Sequence, residues 1–393
     1  MTTAPARLDI DDVLLNRRTR IIVCCGSGGV GKTTTAAALA LRAAEHGRDV
    51  CVLTIDPAKR LAQALGLTRL DNVPRRVHKV GTQSGGSLDA MMLDMKRTFD
   101  EVVEAHADPA RARQILANPF YQALSSSFAG TQEYMAMEKL GQLRAQADKD
   151  GRWDLIIVDT PPSRSALDFL DAPARLGSFL DGRFIRVLTG PAKGAGMGIG
   201  KVLGAGFSIF TSVLGKILGA QMLKDLGSFV AAVDTMFGGF RTRADATYAL
   251  LKDRGTSFVV VAAPESDALR EASYFVERLR TDGMPLAGMV LNRVQPVRAS
   301  DLSREQALAA AERLEAAGVH QSTAALLRLH ADRQATAARQ GRLAARFTAA
   351  HPGVSVVEVP VLAEDVHDLE GLRQIGDLLS GVDEIRPSAR PSR

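Results

Sequence analysis

Cysteine is scarce in this 393-residue chain: Cys24, Cys25 and Cys51 are the only three, and no two of them form a C-x-x-C pair. That excludes a disulfide framework and a thiolate zinc site of the usual spacing. All three lie in or beside apolar runs that read as core strands, where a thiol packs as a small hydrophobe. Long apolar runs are missing as well. Within the apolar segment from Gly194 to Phe240 the longest uncharged stretch, Val202 to Gly215, is too short to cross ~30 Å of hydrocarbon as a helix. Met1 to Arg20 carries Asp9, Asp11 and Asp12 and no apolar core of signal-peptide length, so a cytoplasmic location is expected, with peripheral contact at the membrane left open. Charge of one sign does not dominate, since 49 basic residues face 44 acidic ones. Without a basic stripe, no nucleic-acid partner is expected. The sequence also shows no internal repeat.

What is present is the composition of a globular protein, 46% hydrophobic and 24% charged, with length enough for one large α/β core carrying an insertion. The chain is organised around Gly26-Ser27-Gly28-Gly29-Val30-Gly31-Lys32-Thr33-Thr34, which follows the apolar run Ile21 to Cys25 and precedes the alanine-rich stretch Thr35 to Ala44. Strand, glycine loop and helix in this order fit G-x-x-x-x-G-K-[ST], in which backbone N–H groups wrap phosphate oxygens at a helix N-terminus. Lys32 is expected to reach the β- and γ-phosphates of ATP, Thr33 to hold Mg²⁺ through its hydroxyl, and Thr34 to lie near the α-phosphate.

Further apolar runs without strict alternation, at residues 49–54, 88–93, 155–158, 258–261, 286–291 and 354–357, read as strands covered on both faces. Helical patterns separate them. The expected fold is therefore α/β, a doubly wound and mostly parallel sheet of P-loop type with an inserted helical subdomain. The expected division is an N-terminal arm (1–19), a first part of the core (20–93), a helical segment (94–150) with breaks at Pro109 and Pro119, and a core strand with its following turn (151–165). A helical, Gly/Met/Phe-rich subdomain (166–254), a second part of the core (255–384) and a disordered tail (385–393) complete it. Residues 298–350 read as one or two amphipathic helices with solvated charged faces. For residues 194–240 three readings stay open: a client groove, a membrane contact, or plain core.

Two carboxylates stand at strand ends on the sheet edge where ligands of such folds bind. Asp159 follows Leu155 to Val158 and is the natural Mg²⁺ partner, although a strand-end Asp can also cap a helix. Asp56 ends the second strand and is placed to orient or deprotonate an attacking water, with a helix cap again the alternative.

The glycine loop, Asp56-Pro57-Ala58 and Asp159-Thr160-Pro161-Pro162-Ser163, taken in this order, resemble the ArsA-type ATPases. That family includes the arsenite-pump and guided-entry ATPases, is related to MinD and ParA, and here comes nearest the anion-transporting subunits of actinobacterial type. Gly130-Thr131-Gln132-Glu133-Tyr134 and the segment Val357 to Val366 resemble family segments too. The resemblance implies that Asp56 is the water-activating carboxylate of switch I and that Asp159-Thr160-Pro161 opens switch II. It also implies that Asn292 reads adenine, that Glu265 contacts nucleotide, and that Pro360, Leu362 and Asp365 belong to the base pocket.

Departures from the family pattern matter equally. The arsenite-binding cysteine triad has no counterpart, and neither does the zinc-binding C-x-x-C. Ser27 stands where the resemblance places a signature lysine that reaches across a dimer to the partner's nucleotide. The expected protein is a dimeric, ATP-switched carrier or regulator with a hydrophobic helical subdomain and a hydrophobic client or membrane-protein partner. A heterodimer with a lysine-bearing paralogue is weighed evenly against a homodimer, with Arg60 and Arg164 as alternative sources of the missing cation. The alternatives are an energising subunit of an anion transporter and, less favoured because the C-terminal residues show no amphipathic anchor, a MinD-like positioning ATPase.

Overall fold

The computed structural model describes residues 6–55, 60–81, 84–119, 121–122, 131–161, 242–297 and 299–381. Asp56 to Lys59, Gly130, the segment after Pro161 that holds Arg164 and Gly194 to Phe240, and the C-terminal tail lie outside the described residues. Eight strands form one sheet: β1 (Ile21–Cys25), β2 (Asp49–Thr54), β3 (Arg75–Arg76), β4 (Ser87–Met92), β5 (Leu155–Asp159), β6 (Thr256–Ala262), β7 (Leu286–Val294) and β8 (Val356–Pro360). Their order is β3-β4-β2-β5-β1-β6-β7-β8, with every pairing parallel except β3 to β4. This is the doubly wound α/β sheet expected from the sequence. Chain order reverses at β1, which lies between β5 and β6, so the loop after β1 opens at the topological switch point.

The central strands are apolar because helices cover both faces. Every residue of β1 and β5 is buried. The outer strand β8 instead alternates, with Val357 and Val359 buried and Glu358 exposed. Its free edge is covered by the N-terminal arm, since Leu8 N donates to the Val356 carbonyl (3.1 Å) and Val356 N donates to that of Ala6 (3.0 Å). The arm continues into α1 (Ile10–Leu15), capped by Asp9, with Ile10 and Leu14 buried.

Along the rest of the chain lie α2 (Lys32–Glu45), α3 (Arg60–Ala64), α4 (Met95–His106), α5 (Pro109–Leu116), α6 (Thr131–Asp150), α7 (Ser266–Thr281), α8 (Arg304–Ala316), α9 (Gln321–Ala350) and α10 (Leu369–Ser380). Arg48, only 1% exposed, ties the arm to the core. Its guanidinium donates to the carbonyls of Leu14, Asn16, Thr19 and Asp154 and to the Asp154 carboxylate. Arg42 on α2 does the same from the other side, pairing with Asp11 (2.6 Å) and with Asp377 of α10 (3.0 Å). The Arg42 hydrogen bond holds the Asp11 carboxyl below the usual carboxylate range.

The described residues fall into two compact units. One takes in the residues up to Met92, 150–161 and 251 onward; the other is Leu93–Lys149 with residues 242–250. The second is helical. Pro109 stands at the first turn of α5 after the capping Asp108, where its missing N–H costs nothing. On α6, Glu138 is buried and accepts from Arg243 Nε (2.9 and 3.1 Å), while Lys139 pairs with Glu101 (3.0 Å). Pairing of this kind offsets the desolvation penalty of several kcal/mol per ion that burial imposes on such charges.

Three readings of the sequence are corrected. Strand β3 is an addition, two arginines held at the edge by antiparallel pairing and by the ion pair of Arg76 with buried Asp89 (2.9 Å). The strand expected at 286–291 runs on to Val294, so Asn292 is within β7. The strand expected at 354–357 lies instead at Val356–Pro360 and includes Pro360.

Candidate functional site

The loop between β1 and α2 needs glycine for reasons visible in its surroundings. A Cβ on Gly26 would lie 2.0 Å from the Val261 carbonyl oxygen of the neighbouring strand. Gly31 has φ +96°, and a Cβ there would lie 2.3 Å from Asn292 Nδ2. Gly31 is the N-cap of α2 and offers no side chain to the helix end. The first backbone N–H groups of a 14-residue helix are thus left directed at the loop, which makes this end a cradle for anions.

Lys32 is buried, and its ammonium donates to the Ser27 carbonyl at 2.7 Å. Thr33 Oγ1 donates to Asp159 Oδ2 at 2.7 Å, and Thr54 Oγ1 donates to the same oxygen at 2.9 Å. Asp159 itself is fully buried. Register explains the convergence: Cys24 and Thr54 are both Cα partners of Asp159 on the neighbouring strands. Ile55 N extends the ladder to the Asp159 carbonyl (3.0 Å). On the other side, Thr160 bonds the Cys24 carbonyl through both its N–H (3.2 Å) and its hydroxyl (2.9 Å). A threonine hydroxyl and a carboxylate at hydrogen-bond distance form a hard oxygen donor set that suits Mg²⁺.

Asn292 Nδ2 donates to the Val30 carbonyl at 2.8 Å, and its Oδ1 accepts from Arg293 N at 3.0 Å. An amide has two donor and two acceptor positions. One N–H and one lone pair of Asn292 remain, the complement of the adenine edge, which offers the N6 donor and the N7 acceptor. Asn292 opens onto a cleft of ≈ 400 Å³ whose walls include Gly31, Thr33 and Thr34, together with Pro360, Leu362 and Asp365. Asn292, Pro360, Leu362 and Asp365 are therefore brought together beside the loop. Glu265, exposed at the N-cap of α7, is in a second cleft of ≈ 280 Å³ with Ser27, Gly28, Gly29, Val30, Asp267 and Glu271. Ser27 is 8% exposed, and among the described residues its hydroxyl has no hydrogen-bond partner.

Thr54 and Arg293 were not foreseen from the sequence. Thr54 carried a readable signal, a lone hydroxyl closing an otherwise apolar strand next to a strand-end aspartate. Arg293 carried none, because its position depends on an irregularity in the pairing of β7 with β8. The cysteines are all free and buried. Burial and the nearby Asp159 push the Cys24 thiol well up, and burial pushes Cys25 up to about 12. Both remain thiols and not metal-binding thiolates. Among the described residues no helix is long and apolar enough to cross a membrane.

Comparison with known proteins agrees with this geometry. Residues 19–321 match the anion-transporting ATPase family, the ArsA ATPases. The chain is 28% identical over 291 residues to ATPase GET3 of Malassezia globosa, covering 72% of this chain and 76% of that one. It is 25% identical to ATPase GET3 of Podospora anserina over the whole of both chains. An arsenical pump-driving ATPase of Escherichia coli is 26% identical over 288 residues, 73% of this chain and 41% of its own. With its phosphate loop, its strand-end Asp159 and a family match spanning most of its length, the chain belongs to the anion-transporting ATPase family and is a nucleotide-binding ATP hydrolase of the ArsA and guided-entry type.

Proposed function

We propose that the protein is an Mg²⁺-dependent ATP switch that works as a dimer and couples the state of its nucleotide to a helical region holding a hydrophobic client. The observation that carries the metal part is the convergence of Thr33 and Thr54 on one oxygen of Asp159. Thr33 and Asp159 would hold Mg²⁺, which supplies charge neutralisation at the β- and γ-phosphates. The chain's own residues do the rest. Backbone N–H groups from Gly28 to Thr33 bind phosphate oxygens, and Lys32 exchanges the Ser27 carbonyl for the terminal phosphates. Asp56 orients the water, Asn292 reads the adenine edge, Pro360, Leu362 and Asp365 border the base, and Glu265 faces nucleotide from the second cleft. The test measures ATP turnover and mass by light scattering, with Mg²⁺ and after chelation. The expected result is turnover and dimer formation that both require Mg²⁺ with ATP, and turnover indifferent to chelation contradicts the reading.

Ser27, standing where the family resemblance places a lysine, motivates a particular dimer. A serine cannot supply the cation that phosphoryl transfer draws on, so the partner is a paralogue that carries lysine at this loop position. Turnover is measured for the chain alone, then with that paralogue, then with the paralogue's lysine changed to alanine. Stimulation that disappears with the lysine supports the heterodimer. Full turnover by the chain alone, unchanged by the paralogue, removes it.

A further inference from the structure

We propose that Arg293 stacks its guanidinium on the base of the bound nucleotide, as a contact distinct from the edge reading by Asn292; this rests on the nucleotide reading of the ≈ 400 Å³ cleft. Arg293 has φ +62°, one of three non-glycine residues with positive φ among the described residues. Large side chains adopt that conformation only at an energetic cost. The cause is local: pairing of β7 with β8 shifts register between Asn292 and Val294, and a bulge of this kind re-aims the side chain it displaces. The displaced side chain is exposed and borders both clefts, facing the base cleft on one side and Ser27, Gly28 and Gly29 on the other. Among the described residues this side chain has no hydrogen bond or ion pair, although Glu265, Glu271, Glu364 and Asp365 border the same clefts.

An arginine that is strained, unpaired and surrounded by carboxylates has not been placed there to hold the fold. The base cleft is also lined by Leu61, Ala64, Pro360 and Leu362, apolar side chains suited to one face of a purine. A planar, weakly hydrated guanidinium suits the opposite face, and an ammonium does not replace it. Arg293 thereby raises affinity for any nucleotide base, while selection of adenine stays with Asn292.

Glycine tolerates φ +62°, so Arg293→Gly removes the side chain and relaxes the backbone together. Binding of ATP, and displacement of ATP by tripolyphosphate, are measured for wild type, Arg293→Gly and Arg293→Lys, with thermal stability alongside. The expected result is ATP binding weakened roughly tenfold in both variants, an unchanged affinity for tripolyphosphate, and a melting temperature for Arg293→Gly at or above that of wild type. Wild-type ATP affinity in Arg293→Gly overturns the proposal, and so does full rescue by lysine or an equal loss for tripolyphosphate, which would make Arg293 a phosphate contact. A wild-type chain that binds neither ATP nor tripolyphosphate overturns the site reading and the proposal together. That failure is distinguishable because the variants are then no different from wild type at zero binding.

Discussion

Asn292 reaches from β7 to donate its side-chain N–H to the Val30 carbonyl at 2.8 Å, fixing the phosphate loop from a strand 262 residues away. The same amide nitrogen occupies the space that a Cβ on Gly31 would need. On the proposed reading of adenine by Asn292, loop shape and base recognition share one side chain. Gly31→Ala is predicted to abolish ATP binding while leaving the sheet folded, because it combines a positive φ with a 2.3 Å collision. Asn292→Ala is predicted to weaken ATP binding about tenfold and to reduce the preference for ATP over GTP. Calorimetric titration with both nucleotides checks this, and an Asn292→Ala variant with wild-type preference would remove Asn292 from base reading.

Asp159→Asn keeps an acceptor for Thr33 and Thr54 but removes the charge. The Mg²⁺ concentration needed for half-maximal turnover is predicted to rise at least ~10- to 100-fold, the range seen when even an outer-shell partner of a metal site is lost. Thr33→Ala is predicted to act in the same direction. A magnesium titration of steady-state turnover decides the matter, and unchanged titration curves in both variants would assign Asp159 a structural role.

Arg48 satisfies four backbone carbonyls from a fully buried position. Arg48→Met retains volume and removes the guanidinium from the Leu14, Thr19 and Asp154 carbonyls, while the Asn16 carbonyl keeps Thr19 N and the Asp154 carboxylate keeps Arg17, a loss of about 3–5 kcal/mol. Urea unfolding is predicted to show the shift in midpoint. A loss under ~1 kcal/mol would mean that the N-terminal arm contributes little to the fold.

His351 caps α9 with its ring 4.8 Å from that of Phe347, and burial, reinforced by Arg280, lowers its pKa. The unfolded chain titrates this group near 6.5 and the folded chain lower. Below about pH 6.5 the unfolded state therefore binds more protons, and the contribution to stability falls as pH drops from there toward the folded value. The melting temperature of wild type minus that of His351→Gln is predicted to be larger at pH 8 than at pH 5.5. A difference independent of pH would show that His351 titrates alike in both states.

The sheet was legible because its strands are buried on both faces and so appear as unbroken apolar runs. Arg75–Arg76 was not, since two charged residues have no pattern of their own and pair only because Asp89 is opposite. The phosphate loop and Asp159 were readable from spacing. Thr54 was readable only as a hydroxyl closing β2, its meeting with Asp159 being set by register, and Arg293 owes its place to the bulge next to β8, which no linear pattern encodes. The anchoring of the N-terminal arm was hidden for the same reason: Asp11, Arg42 and Asp377 meet only after the chain has closed on itself.

Asp56 follows directly on Ile55, whose N–H is bonded to the Asp159 carbonyl at the sheet edge. The central claim is that this carboxylate acts on water while the loop and Asp159 hold Mg-ATP. Asp56→Asn removes the water's acceptor and no phosphate contact, whereas Lys32→Ala removes a phosphate contact. The most direct test measures Mg-ATP binding and steady-state turnover of both variants beside wild type. Turnover of Asp56→Asn is predicted to fall roughly 10²- to 10⁴-fold with Mg-ATP binding retained, and Lys32→Ala to lose both. Wild-type turnover in Asp56→Asn would contradict the account.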